Sequence, residues 1–215
     1  MRSAAVGALG PFSGEAVDKA ILDAFRDSYY RTRIAAAQAS RDRKLAEAVP
    51  FLKYRAERDD VPNVKDEAIR ALGAIANEEA VEVLKSLCFE RKNTDRVRIL
   101  TADLLMKSAA TENFSRLLIE LDEAKTKNQN ALYNGLLKAL GESVIKNDNP
   151  DAENIAKRLM SSGTPVEKMY GLDIAANNNL IRLKDDIITL TNEKNESIRR
   201  RAVRTAEKLG IELPE

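Results

Sequence analysis

Side chains able to do chemistry are few in this chain. It has no histidine and a single cysteine, Cys88, in 215 residues. The commonest general base and metal ligand is therefore missing, and neither an intrachain disulfide nor a cysteine-based zinc site can form. Cys88 sits in Val81-Glu82-Val83-Leu84-Lys85-Ser86-Leu87-Cys88-Phe89, an apolar helical stripe that predicts a buried structural thiol. No nucleophile–base pair and no glycine-rich phosphate loop is present. The stretch Lys146-Asn147-Asp148-Asn149-Pro150-Asp151 offers oxygen ligands, but it lacks the Gly and the twelfth-position Glu of a calcium loop and reads as a turn.

Charge is the other candidate chemistry. The densest run, Arg199-Arg200-Arg201 with Arg204, has the chemistry to hold an acidic peptide, a phosphate or an anionic headgroup. Glu193, Glu196 and Glu207 lie within helical reach, so the run reads as a solvated, internally paired helix face. A weaker cluster, Arg41-Asp42-Arg43-Lys44, is expected in an inter-helix turn. Lys+Arg 35 against Asp+Glu 34 leaves a net charge of +1, which argues against phosphate neutralisation as the main role. No apolar stretch approaches the ~18 residues of a membrane helix.

The elements that must position these residues follow from a repeated phrase. An aliphatic or β-branched residue, often with Arg or Lys beside it, precedes a small residue in Met1-Arg2-Ser3-Ala4-Ala5, Thr32-Arg33-Ile34-Ala35-Ala36, Val64-Lys65-Asp66-Glu67-Ala68, Val97-Arg98-Ile99-Leu100-Thr101 and Ile198-Arg199-Arg200-Arg201-Ala202. Weaker copies start at Leu132 and at Val166 or Glu167, giving intervals of 31 to 35 residues. Such a period means one supersecondary unit stacked on itself. From Val64 to Ala76 the apolar or small residues fall at 64, 68, 71, 72 and 75, one buried face of a helix. A second amphipathic segment lies between phrases, at 16–25, 45–54, 80–89, 114–121, 152–160 and 180–190, with turn signals such as Asp59-Asp60-Val61-Pro62-Asn63 between them.

These phrases, with Pro50 in the outer segment Ala48-Val49-Pro50-Phe51-Leu52, resemble the HEAT-repeat family of the compact bacterial kind, related to the lyase-type HEAT proteins. The resemblance covers essentially the whole chain. It implies an all-α, right-handed α-solenoid of stacked antiparallel helix pairs, about six to seven units in a single array over residues 1–215, with each phrase on the inner, concave helix. It also implies a ladder of acids and bases along the inter-repeat turns. Asp27, Asp59 and Glu193 precede Arg33, Lys65 and Arg199 by six residues, and the acid and base are expected to lapse together in the 132 and 166 units. A change of curvature is expected there. Met1 to Gly10 reads as an inner helix without its outer partner, so the chain is expected to be the C-terminal part of a longer array. The compartment stays open between cytoplasmic and, with an upstream signal sequence, periplasmic.

The function expected is a monomeric scaffold that binds a protein or peptide partner, with no cofactor and no metal. The second and sixth residues after each phrase start turn away from the buried face. They give Ile34, Gln38, Asp66, Arg70, Ile99, Asp103, Asn134, Lys138, Arg200 and Arg204, joined by Asp173 when the weak copy starts at Glu167. The resemblance admits a lyase-like catalytic relative as the alternative. It also admits a nucleic-acid enzyme with Asp103 or Asp173 as the acid, which the absence of Trp and the net charge of +1 disfavour.

Overall fold

The computed structural model describes residues 1–145 and 149–213. Positions 146–148 of the expected turn, and the terminal Pro214 and Glu215, lie outside the described residues. All regular structure among the described residues is helical. The chain divides into two compact units, Met1–Ser108 and Ala109–Glu215.

In the first unit a lone helix α1 (Arg2–Gly7) precedes three pairs: α2 (Glu15–Ala24) with α3 (Tyr30–Arg43), α4 (Val49–Arg58) with α5 (Pro62–Ile75), and α6 (Glu78–Phe89) with α7 (Asp95–Ser108). The phrase-bearing helices α1, α3, α5 and α7 pack in succession and form an inner row, while α2, α4 and α6 each cover their own partner. The second unit repeats the plan with α8 (Ala110–Thr126) and α9 (Asn130–Gly141), α10 (Pro150–Met160) and α11 (Pro165–Asn177), and α12 (Lys184–Thr191) and α13 (Glu196–Leu209). Its inner row is α9, α11 and α13. The fold is thus the expected all-α stack of helix pairs.

Local chemistry sets the helix ends. Asn149 accepts from the Asp151 amide and Asn195 from those of Ser197 and Ile198, satisfying first-turn donors. Pro62, Pro150 and Pro165 open α5, α10 and α11, where a missing N–H costs nothing. Gly210 ends α13 in the left-handed region at φ 66°. Two outer segments begin with a 3-10 turn, Ala46–Ala48 before α4 and Ile181–Leu183 before α12. The outer helix α8 is the longest of the second unit and runs on to Thr126.

Small residues set how closely helices meet. A Cβ built on Gly171 would lie 2.8 Å from the Met160 amide nitrogen and 2.9 Å from the Ala156 carbonyl oxygen, so α11 crosses α10 backbone to backbone. Tyr170, large at a position the pattern keeps small, lies over Gly141 of α9, whose added Cβ would meet its ring. The core of each unit is aliphatic, with Phe25 and Phe114 its largest fully buried side chains.

Candidate functional site

At three phrases the second residue reaches from the turn edge to the next helix pair. Arg2 Nε sits 2.9 Å from Asp27. Arg33 grips Asp59 with Nε at 2.7 Å and Nη2 at 2.8 Å, and Lys168 meets Glu193. Each carboxylate lies 25 or 26 residues downstream, in the following turn. Pairing within a unit, as the sequence suggested, is therefore wrong. Within its own unit the base finds a backbone carbonyl: Arg33 donates to Asp27 O at 3.1 Å, Lys65 to Glu57 O at 3.1 Å, Arg98 to Cys88 O at 3.0 Å and Arg199 to Glu193 O at 3.4 Å. The end of the outer helix presents carbonyls without intrahelical donors, while the acid on that turn faces the preceding unit. Lys168 also shows that the ladder does not lapse in the 166 unit. Burial alone would raise the Asp59 carboxyl; hydrogen bonds from Arg33 and the Val61 amide overcome it and hold it below its ordinary value.

The exposed side of the inner row is a second polar surface. In the first unit Arg41 and Arg70 share Glu67, at 3.2 and 3.1 Å, and Asp66 accepts from Arg96 of the next inner helix. Lys107 holds Asp103 at 2.8 Å. In the second unit Arg201 of α13 donates to both oxygens of Asp173 on α11, at 2.5 and 2.6 Å, and Lys208 to Asn177 at 2.9 Å. Lys138 lies 3.4 Å from Glu142, and Arg200 pairs with Glu196. Burial raises the Asp173 carboxyl despite Arg201, and Glu142 pushes the same way. Arg204 and Asn134 make no side-chain contact of this kind among the described residues.

A third cluster centres on Glu167, buried on α11. Its carboxylate accepts from Lys125 at 2.7 Å and from the hydroxyls of Thr164 at 2.6 Å, Ser162 and Tyr133. Thr164 caps α11 by accepting from the Glu167 amide. Burial opposes the charge, but these four donors outweigh it and hold the carboxyl near a pKa of about 2. Burial and this bond together push the Tyr133 phenol up. The cluster ties α8, α9 and the α10–α11 turn to one side chain.

The family model for spirochaete HEAT repeat proteins matches residues 1–205. The chain belongs to that family. Among solved structures it is similar to the archaeal HEAT-like repeats protein from Thermococcus onnurineus NA1, with 18% identity over 99% of this chain and 78% of that one, at a TM-score of 0.39. No curated protein matches.

In this HEAT-repeat chain the expected inner-row residues divide into three groups. Arg70, Asn134, Lys138, Arg200 and Arg204 are exposed, whereas Ile34, Gln38, Ile99, Asp103 and Asp173 are half-buried. Asp66 is a correction. It is 6% exposed and bound to Arg96, because the second position after the phrase start leans onto the following inner helix in the first unit. The neighbours Glu67 and Arg96 escaped notice, although Glu67 and Arg70 have helical i,i+3 spacing. Arg41 and Arg43, expected in a turn, are in the last turn of α3 and reach Glu67 and Asp18. Glu167 was legible as the far end of a Thr164-x-x-Glu167 capping box. Cys88 is 1% exposed, with its thiol directed at Arg98 O.

Proposed function

We propose that this chain is an interaction scaffold that binds a protein or peptide partner across its exposed inner-helix rows. One observation carries the reading: the same register position stays polar along the inner rows from α5 onward and is fully open on every other helix, as Arg70 on α5 in the first unit and as Lys138 on α9 and Arg204 on α13 in the second, with half-buried Asp103 on α7 and Asp173 on α11. Packed helices lie ~8–10 Å apart, about three residues of extended chain at ~3.3 Å each. A peptide laid across the row therefore offers roughly every third side chain to a new helix. Half-buried Ile34 and Ile99 supply apolar contact beside Arg70, and Arg side chains are favoured anchors at interfaces.

Other features support binding over chemistry. Asp103 and Asp173 are occupied by Lys107 and Arg201. The first unit holds 19 basic and 17 acidic residues, the second 16 and 17, so neither has the basic excess that a polyanion demands. No described helix is long and apolar enough to cross a membrane.

The test is quantitative capture from the native proteome with three immobilised proteins. They are the wild type, an inner-row variant (Arg70→Glu, Lys138→Glu, Arg204→Glu) and an outer-face control (Glu82→Lys, Lys157→Glu), each with wild-type circular dichroism. The reading expects a protein retained by the wild type and the control and lost by the inner-row variant. Loss with the control alone, or equal retention by all three, contradicts it.

A further inference from the structure

The turn-edge ladder has a gap. Arg2, Arg33 and Lys168 each meet a carboxylate from the next turn. Lys65 holds the same phrase position, yet its ammonium reaches only the Glu57 carbonyl and has no carboxylate partner among the described residues. In the turn that follows, Lys92 and Asn93 stand where the acid belongs. Glu90 does not fill the place, because it is taken by Lys92 at 2.5 Å and Ser86 at 2.7 Å. Asn93 is committed to Leu87 O at 3.0 Å.

The gap opens into a cleft of about 770 Å³, lined by Lys65, Lys92 and Arg96 among others, a volume within the ~300–1,000 Å³ of small-ligand sites. Acids line it too: Asp59, Asp60, Asp66 and Glu57. Asp59 and Asp60 are bound to Arg33, with Arg55 also on Asp59, and Asp66 to Arg96. Only Glu57 faces the cleft without a bonded side-chain partner, in the field of Lys92. We propose that this cleft takes the carboxylate of an acidic residue on an extended segment of a protein partner, which supplies the missing rung between Lys65 and the α6–α7 turn. A single negative charge matches a rung built for one carboxylate. A phosphate dianion would meet twice the repulsion from Glu57 and Asp60. The cleft reaches Asp66 and Arg96, so a segment seated there continues onto the inner row. The inference does not require the inner row to be the main binding face.

The experiment is a titration of the 15N-labelled full chain followed by amide shifts at Asn93, Thr94 and Arg96. The probes are acetyl-Gly-Glu-Gly-Glu-Gly-amide, its Gln counterpart and inorganic phosphate. The Glu peptide is expected to give saturable shifts there, and both the Gln peptide and the Lys65→Met variant to weaken binding about tenfold, the scale of one charged hydrogen bond. Lys92→Glu, which supplies the rung from within, is expected to remove the shifts, while Lys157→Glu on the outer helix α10 leaves them unchanged. No saturable shift, equal shifts with the Gln peptide, full binding by Lys65→Met, or tighter binding of phosphate than of the Glu peptide each overturns it.

Discussion

Glu167 keeps its negative charge with only 5% of its surface exposed, and four donors from three other elements make that possible. Its carboxyl is depressed from 4.5 to about 2, so the charge stabilises the second unit, fully so above the unfolded value. That contribution is lost as pH falls through 4.5 toward about 2. The shift corresponds to a contribution on the order of 3 kcal/mol at neutral pH. Glu167→Gln is expected to lower stability by roughly this amount at pH 7. Its deficit should shrink steadily below pH 4.5 as the wild-type carboxylate protonates. Urea unfolding of both proteins from pH 7 to 3 measures the difference. A deficit independent of pH would mean that the cluster stabilises by packing rather than by charge.

At the scale of elements, backbone approach and charge steps join one helix to the next. Gly171 sits where α11 meets the α10 backbone, and a Cβ there has nowhere to go because main-chain atoms line the contact. Gly171→Ala is expected to cost ~1–3 kcal/mol by overpacking. Gly163→Ala, with nothing within 4 Å of the added carbon, should change stability by no more than ~0.5 kcal/mol. Thermal unfolding of the two variants separates the cases, and equal losses would show that close packing of α10 and α11 is not what Gly171 serves. Helix placement was legible because the phrase and its turn signals repeat with a nearly fixed period. Pairing was not. The spacing of Asp27 to Arg33 is the same whether the acid serves its own unit or the preceding one. Only the geometry shows the carboxylate pointing backward and the carbonyl pointing forward. Asp66 failed for a related reason. Helical phase gives the direction of a side chain from its own axis, but not which neighbouring helix covers that direction.

At the scale of the molecule, near-neutral charge conceals strong local pairing. Most acids and bases on the inner rows are already matched, so a partner must exchange for existing pairs or use the groups left open: Arg204, Asn134, the shared Arg70 and the half-buried Ile34 and Ile99. Such a surface gains specificity and register from charge more than raw affinity. Under the proposed scaffold role, the residues that would choose a partner were therefore hidden from composition, which reports only the sum. The most direct test places a photo-crosslinking amino acid at Gln38 or Asn134 on the inner rows, and at Glu82 or Lys157 on the outer helices, in cells of the native host. The account predicts that a partner protein is crosslinked from the inner positions and not from the outer ones. Crosslinks confined to the outer positions would contradict it.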